Sequence, residues 1–308
     1  MLRLRLVTAV GVVCLCASTL VVAQQTNPAL QRTVNRAMAG NRGTAVVLAV
    51  NSGQILASYR LKVAAQRLAS PGSSIKPFTL KALLDTGKLD AATALVCQRQ
   101  LTVAGHRLDC SHPQTGQPLD AATALAYSCN SYFTTMATRL TPSQLRESFI
   151  DDGFTHTTGI ATDEAVGSVA LASSNDELQL QAIGEWGVRV TPLELLGAYR
   201  NLALLASSGA DPKLAAIFQG LDGSTSYGMA RSAQPENNIK VAGKTGTANA
   251  DEGQWTHGWF AGFAPADQPR VVLVVFLEKG RGSDSADIAR RIFASLSNAA
   301  RIEAGSKP

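Results

Sequence analysis

Ser73 and Lys76 lie three residues apart in the segment ASPGSSIKPFTLKALL, which spans residues 69–84. Residues at that spacing share one face of a helix. Because Pro77 lacks an N–H group and is tolerated only near a helix start, Ser73 is predicted in the first turn. Free N–H groups there favour a developing negative charge. The pair could act as a serine nucleophile with a lysine base. The alternative is a capping serine followed by a surface lysine.

A serine and an asparagine two residues apart form a second candidate, Ser128 and Asn130 in the segment AYSCNSYF. A hydroxyl beside an amide could relay a proton and donate a hydrogen bond to a substrate. The alternative is a polar helix end, and the pattern is weak because residues 173–175 (SSN) match it too. We favour Ser128, which lies on a short segment between helical stretches and is followed by aromatic residues.

The third candidate is VAGKTGTA, residues 241–248, whose apolar start predicts a strand that runs up to a glycine. A glycine in a strand allows another part of the chain to approach closely. Lys244 could neutralise a substrate carboxylate, and Thr245 and Thr247 could add hydroxyl contacts. The alternative is a strand-to-turn junction with a surface lysine.

Strands are predicted near both ends of the chain, and helices between them. Residues 43–60 predict a hairpin around Asn51-Ser52-Gly53, and three apolar runs between residues 239 and 280 predict three further strands. Helices are predicted over residues 28–40, over most of 85–235, and over 285–302. This order predicts an α+β fold in which one sheet is assembled from both chain ends around an inserted, mostly helical region.

Two helix starts within the middle region carry the same signature. TPSQ at residues 141–144 and TPLE at residues 191–194 each place a threonine before a proline, with Gln or Glu three residues after the threonine. Threonine can cap a helix, proline fits the first helical position, and the Gln or Glu completes a capping box. Helices are therefore predicted to begin at Pro142 and Pro192.

Taken in order, the three candidate motifs resemble the S-x-x-K, S-x-N and K-T-G signature of penicillin-binding proteins and serine β-lactamases. The chain most resembles the transpeptidase domain of penicillin-binding proteins, through the segments PGSSIKPF, SCNSYF, GVRVTPLELLGAYRNLA, VAGKTGTA and GWFAGFAP. The resemblance implies a β-lactamase/transpeptidase-like α+β fold. In that fold an antiparallel sheet built from both chain ends is flanked by helices and carries an inserted, mostly helical region.

The resemblance also implies a role for each matching position. Ser73 would be the acylated nucleophile, and Lys76 would accept its proton. The other positions would relay protons, bind the substrate or line the strand beside it: Ser128, Asn130, Lys244, Thr245, Gly246 and Thr247. The backbone N–H groups of Ser73 and Thr247 would form the oxyanion hole. No metal and no organic cofactor is implied.

The activity implied is that of a peptidoglycan D,D-transpeptidase or D,D-carboxypeptidase. It would act on D-Ala-D-Ala stem peptides through a Ser73 acyl-enzyme, with β-lactams as inhibitors and cell-wall synthesis proteins as candidate partners. A serine β-lactamase is one alternative, although the chain has no Glu-rich loop of the class A type, and Asn130 replaces an aliphatic residue usual in class D. The other is a non-catalytic sensor or accessory protein, which would normally carry a membrane-spanning signalling module.

The N-terminal residues predict export. Residues 1–23 contain Arg3 and Arg5, an apolar run and a small-residue cleavage site ending at Ala23, and the alternative is an uncleaved membrane anchor. Residues 24–308 would then form the transpeptidase domain, in the periplasm or on the outer face of the cytoplasmic membrane. The net charge of +5 falls to +3 without the signal, and no basic cluster indicates a nucleic-acid partner.

Three cysteines lie beyond the predicted signal. Export permits disulfides, so a Cys97–Cys110 bond is predicted. The alternatives are unpaired thiols or a zinc site made by Asp109, Cys110 and His112. Cys129, inside the second motif, is predicted to be a small buried thiol.

Overall fold

The central element of the computed structural model, which describes residues 27–209 and 212–296, is a five-stranded antiparallel sheet. Its strand order is β2-β1-β9-β8-β7, and its strands are β1 (Gly43–Ala49), β2 (Ile55–Tyr59), β7 (Ala242–Asn249), β8 (Thr256–Ala264) and β9 (Val271–Leu277). The prediction of one antiparallel sheet built from both chain ends is confirmed. The predicted export signal, residues 1–23, lies outside the described residues.

Helices flank this sheet on both faces. In the described part of the chain they are α1 (Pro28–Met38), α2 (Leu61–Gln66), α3 (Lys76–Asp85), α4 (Ala121–Ala126), α5 (Asn130–Ala137), α6 (Pro142–Asp151), α7 (Asn175–Ala182), α8 (Pro192–Ser207), α9 (Ala215–Ser226) and α10 (Gly282–Phe293). Four short strands form two small hairpin-like pairs, β3 (Thr102–Val103) with β4 (His106–Arg107), and β5 (Ser168–Val169) with β6 (Val188–Arg189). No helix among these described residues is long and apolar enough to span a bilayer.

The side chains of β1 divide between two cores because successive residues of a strand point to opposite faces. Ala45 and Val47 pack with α1 and α10, whereas Val46 and Leu48 belong to the larger core on the helical side. The C-terminal helix predicted over residues 285–302 begins earlier, at Gly282, and ends at Phe293; residues 297–302 lie outside the described residues.

The inserted region is helical from residue 121 onward, but residues 86–120 contain no α-helix. Gly105 and Gly116 have left-handed φ values of 78° and 67°, and Pro113 and Pro118 each lack an N–H group. This part of the chain therefore folds as loops around the short β3–β4 pair. It packs beside α4 and α5, which places it next to the second motif.

Both predicted capping boxes are confirmed. Thr141 and Thr191 each accept a hydrogen bond from the backbone N–H three residues later, and the side chains of Gln144 and Glu194 return the contact to the threonine N–H groups. Glu194 also accepts a hydrogen bond from the Gly167 N–H at 2.7 Å. The start of α8 is thereby fixed to the loop that precedes β5.

Candidate active site

Ser73 lies in a single 3-10 turn, Gly72–Ile75, that leads directly into α3. The N–H group of Lys76 closes this turn on the carbonyl of Ser73. Pro77 follows where its missing N–H costs nothing. Ser73 is partly exposed, whereas Gly72 and Lys76 are buried, so the serine hydroxyl is the accessible group of the turn.

Two buried side chains fix the position of this turn. The indole Nε1 of Trp259, on β8, donates to the carbonyl of Ser70 at 3.0 Å. The hydroxyl of Tyr199, on α8, donates to the carbonyl of Ser74 at 2.9 Å. Because Trp259 and Tyr199 are both fully buried, Ser73 is held between a strand and a helix of the rigid core.

The amine of Lys76 joins the first motif to the second. Its Nζ donates to the Asn130 Oδ1 at 2.6 Å and to the Ser128 carbonyl at 2.7 Å, and it lies 3.3 Å from the Ser128 hydroxyl. The Phe133 ring lies 5.4 Å from the same Nζ. A lysine with three oxygen contacts on one side and Ser73 one turn earlier can pass a proton between the two serines.

The geometry of the second motif distinguishes Ser128 from its sequence rival. Ser128 connects α4 to α5 in a left-handed conformation, with φ of 55°, which is unfavourable for a residue with a side chain. Asn130 starts α5, and its Nδ2 donates to the Leu108 carbonyl at 3.0 Å. In the rival segment, the Ser173 hydroxyl instead donates to the Glu177 carboxylate at 2.6 Å, and Ser174 caps α7 by accepting from the Glu177 N–H.

The third motif lies against the turn that carries Ser73 because two glycines allow contact between the two backbones. A Cβ atom on Gly246 would lie 2.4 Å from the Pro71 oxygen, and one on Gly72 would lie 2.5 Å from the Thr247 oxygen. Gly72 also has a left-handed φ of 52°. Strand β7 therefore forms one wall of the site, immediately beside Ser73.

Both lysines of the site are completely buried. Burial lowers the pKa of Lys76 to about 8, although the charges of Cys129, Cys110 and Glu185 act in the opposite direction. Burial, and then the charge of Lys76, hold the pKa of Lys244 well below its ordinary range. A lysine that is neutral in a large fraction of molecules near pH 8 is suited to accept a proton from a serine.

The sequence reasoning did not identify Glu185 as a site residue. Burial raises the pKa of this carboxyl group to about 7, against the opposing effect of the Lys76 charge. The available signal was the segment GEWG, residues 184–187, in which a carboxylate lies between glycines. Trp186 is partly buried and packs against the main core.

The predicted Cys97–Cys110 disulfide is not present in the structure, where Cys97, Cys110 and Cys129 are free thiols. These three sulfur atoms converge with one ring nitrogen of His112, and all four atoms lie within 4.8 Å of one another. A disulfide between any two of these cysteines would leave the third thiol and the His112 imidazole buried beside it. The prediction that Cys129 is a buried thiol is confirmed.

The four side chains have the composition and spacing of a tetrahedral zinc site. Ligand atoms around tetrahedral zinc lie about 3.3–3.8 Å apart. The Cys97 Sγ is 3.4 Å from the His112 Nε2, and the Cys110 Sγ is 3.8 Å from the Cys129 Sγ. The His112 Nδ1 bonds the Pro113 carbonyl at 2.8 Å, which leaves Nε2 for a metal.

The zinc site that the sequence offered as an alternative contained two members of this cluster, Cys110 and His112, and one residue outside it, Asp109. Cys110 and His112 belong to the cluster, but the Asp109 carboxylate accepts from the Leu101 N–H at 3.1 Å and pairs with Arg107 at 2.5 Å. These contacts lower the pKa of Asp109. Cys97 and Cys129 provide the other two candidate ligands, and both lie outside the segment 109–112 on which the sequence prediction was based.

A cavity of about 520 Å³ lies apart from this chemistry. None of the predicted catalytic residues lines it, and its walls include Gln54, Ile55, Asp152, His156 and Arg200. The Ser73 turn and Lys76 instead contact β7 and the α4–α5 connection.

Comparison with known proteins identifies the family. A model of the penicillin binding protein transpeptidase domain matches residues 43–298, and the chain therefore belongs to that family. This confirms the resemblance drawn from the three motifs.

The chain is similar to individual members over most of its length. It is 26% identical over 355 aligned residues to the peptidoglycan D,D-transpeptidase MrdA of Acinetobacter baumannii; the alignment covers 86% of this chain and 52% of that protein. The chain thus spans about half the length of this relative. Its fold matches Pseudomonas aeruginosa PBP2 in complex with WCK 5153, with a TM-score of 0.76 and 20% identity over 88% of this chain and 77% of that one.

The fold also matches Helicobacter pylori PBP2 in a complex with MreC. The TM-score is 0.77 and the identity 19%, over 88% of this chain and 63% of that one. At such identities the two structural comparisons establish the fold alone, and they confirm the predicted α+β transpeptidase architecture.

Proposed function

We propose that the chain is a serine D,D-transpeptidase that crosslinks peptidoglycan stem peptides ending in D-Ala-D-Ala. Ser73 attacks the carbonyl between the two D-alanines, and the bond to the terminal D-alanine breaks as an ester to Ser73 forms. An amine then attacks the ester to give a crosslink, or water attacks it to give a trimmed peptide. β-Lactams acylate Ser73 as mimics of the same substrate.

The proposal assigns a task to each motif. Lys76 accepts the Ser73 proton, and Ser128 and Asn130 relay it and bind the substrate. The charged form of Lys244 attracts the substrate carboxylate. The N–H groups of Ser73 and Thr247 stabilise the developing oxyanion. Thr245 and Gly246 belong to the same wall of the cleft.

The observation that carries this proposal is the position of the buried Lys76 amine. It hydrogen-bonds both Ser128 and Asn130 while its own helix begins one turn after Ser73. The three motifs, separated by more than fifty residues in each case, therefore meet at one point beside β7. A capping serine with a surface lysine would leave that amine in solvent.

The test is acylation by benzylpenicillin, followed by intact mass over time. We expect the wild-type protein to gain one penicilloyl group, the Ser73→Ala variant to gain none, and the Ser173→Ala variant to behave as wild type. An adduct that clears within seconds while drug is consumed would indicate a β-lactamase. A lasting adduct without release of D-alanine from a D-Ala-D-Ala peptide would indicate a sensor. A wild-type protein that is never acylated would contradict the Ser73 assignment.

We further propose that the chain is exported and works in the periplasm or on the outer face of the cytoplasmic membrane. The support is the charged, apolar and small-residue pattern of residues 1–23, together with the proposed action on the peptidoglycan of the cell wall. A cell-wall assembly protein of the MreC type is the proposed partner, because a protein of the same fold forms such a complex.

We also propose that Cys97, Cys110, His112 and Cys129 hold a structural zinc ion. The support is the convergence of four ligand atoms within 4.8 Å, with burial of all but Cys97. A closed site of three thiolates and one imidazole leaves no position for substrate, so this zinc would support the fold beside Ser128 and take no part in acyl transfer.

A further inference from the structure

Glu185 is a carboxylate beside the nucleophile that acyl transfer to Ser73 does not use. It follows Gly184, whose carbonyl accepts the Gly72 N–H at 3.1 Å. A Cβ atom on Gly184 would lie 2.3 Å from the Gly72 oxygen, so the two backbone segments are in contact. Glu185 and Ser73 directly follow these two glycines, so the backbone contact brings the two residues close to each other.

The carboxylate of Glu185 has no partner of its own. Within residues 27–209 and 212–296, no hydrogen bond or ion pair engages it, although the residue is only partly exposed. Among the carboxylates of the described chain, it is the one whose charge acts on Lys76. Its oxygens remain in contact with solvent, so they are free to pair with a cation that enters the cleft.

The environment of the site explains why such a group is needed. Lys76 and Lys244 are the two amine groups of the cleft, and both are buried. The acceptor of a crosslinking reaction is a primary amine, which is protonated at neutral pH. Either lysine, when it is protonated, would repel that ammonium group, and the ammonium group cannot attack an ester until it loses a proton.

We infer that Glu185 binds the ammonium group of the acceptor strand and takes its proton. This inference rests on the proposed transpeptidase function and deepens it by assigning the acceptor side of the site. The acceptor is a primary amine of a second stem peptide, and Glu185 sets the preference of the acyl-enzyme for amine over water.

The proton balance of the step is simple. The acceptor R–NH3+ gives one proton to the Glu185 carboxylate and becomes R–NH2. Its nitrogen lone pair forms a bond to the ester carbon, and the bond from that carbon to the Ser73 oxygen breaks. The second proton of the nitrogen returns through Lys76 to the Ser73 hydroxyl. Glu185 then releases its proton to solvent, and an amide is left.

The acidity of Glu185 suits this role. Burial raises its pKa to about 7, so it exchanges a proton readily near neutral pH. An ordinary surface glutamate is a much weaker base. The nearby charge of Lys76 keeps part of the population ionised and ready to bind a cation.

The test compares the fate of one acyl-enzyme in four proteins: wild type, Glu185→Gln, Glu185→Asp and the exposed-site control Glu147→Gln. The donor is a synthetic peptide ending in D-Ala-D-Ala, and the acceptor is glycinamide. Chromatography gives the ratio of amide to hydrolysed peptide. Benzylpenicillin acylation, measured by intact mass, reports the first half of the reaction separately.

We expect Glu185→Gln to acylate at least as fast as wild type, because loss of the negative charge lowers the pKa of Lys76, while its amide-to-acid ratio falls at least about tenfold. Glu185→Asp should have an amide-to-acid ratio between those of Glu185→Gln and wild type, and Glu147→Gln should have the wild-type ratio. An unchanged ratio in Glu185→Gln would overturn the inference, as would an equal fall of amide and acid. Failure of the wild-type protein to acylate would overturn the proposed function itself, and the inference with it.

Discussion

At the scale of single residues, the proposed catalysis depends on how readily Lys76 gives up its charge. Burial lowers its pKa to about 8, and only the neutral amine can accept the Ser73 proton. We therefore expect the rate of acylation by benzylpenicillin to rise with pH and to level off above about 8. Below that value the rate should fall about tenfold for each pH unit. Intact mass at timed intervals between pH 6 and 10 measures it.

Glu185 supplies the control for this profile. Its negative charge raises the pKa of Lys76, so Glu185→Gln should move the midpoint of the profile to lower pH. A rate independent of pH between 6 and 9 would contradict the assignment of Lys76 as the base. A midpoint that moved to higher pH in Glu185→Gln would contradict the electrostatic link between the two groups.

At the scale of elements, the site exists because a strand and a turn approach within backbone contact. Gly246→Ala would place a methyl group 2.4 Å from the Pro71 oxygen and 3.0 Å from the Ser74 nitrogen, which forces β7 away from the turn. We expect a loss of about 1–3 kcal/mol in unfolding free energy and at least about tenfold slower acylation. Thermal unfolding and benzylpenicillin acylation measure the two effects.

A second glycine provides the matched comparison. Gly197 lies inside α8, and an added Cβ would meet only the Thr158 methyl at an ordinary 3.6 Å. Gly197→Ala should leave acylation unchanged and stabilise the protein by up to about 1 kcal/mol, because alanine is the better helix former. Equal behaviour of the two variants would show that contact between β7 and the turn does not shape the site.

Local sequence signals predicted where helices begin, whereas long-range contacts determine which residues meet at the site. The starts of α6 and α8 were predictable because threonine, proline and a Gln or Glu three residues after the threonine act within one turn. Ser73 and Lys76 were predictable for the same reason. Glu185 was not, since its place beside Ser73 depends on a backbone contact between Gly184 and Gly72, more than one hundred residues apart.

The cysteines illustrate the same limit. Cys97 and Cys110 have a spacing that permits a disulfide. The local sequence does not predict that Cys129 lies near them in the folded chain. The Gln98 N–H donates to the Ser131 hydroxyl at 3.0 Å, and the Ser131 N–H approaches the Cys110 sulfur at 3.5 Å. These contacts fold residues 86–120 back onto the start of α5. Only the folded chain brings the third thiol into the group.

At the scale of the whole molecule, the cysteine cluster connects the loop-rich segment 86–120 to the second motif, which hydrogen-bonds the Lys76 amine. Cys97, Cys110 and His112 come from that segment, and Cys129 lies between Ser128 and Asn130. A metal bound there would cross-link two parts of the chain that share little other regular structure. Its binding free energy would then contribute to folding.

Zinc is therefore expected to raise the unfolding temperature of the whole domain. Free zinc at a hundred times its Kd adds about 2.7 kcal/mol, which corresponds to about 5–10 °C in a domain of this size. Metal analysis should find one zinc ion per chain, and a chelator should lower the unfolding midpoint by that amount. His112→Ala should lose the ion, whereas His106→Ala, exposed on the neighbouring β4, should keep it. A purified chain that takes up no zinc, or whose mass is lower by two hydrogen atoms because a disulfide has formed, would contradict the metal site.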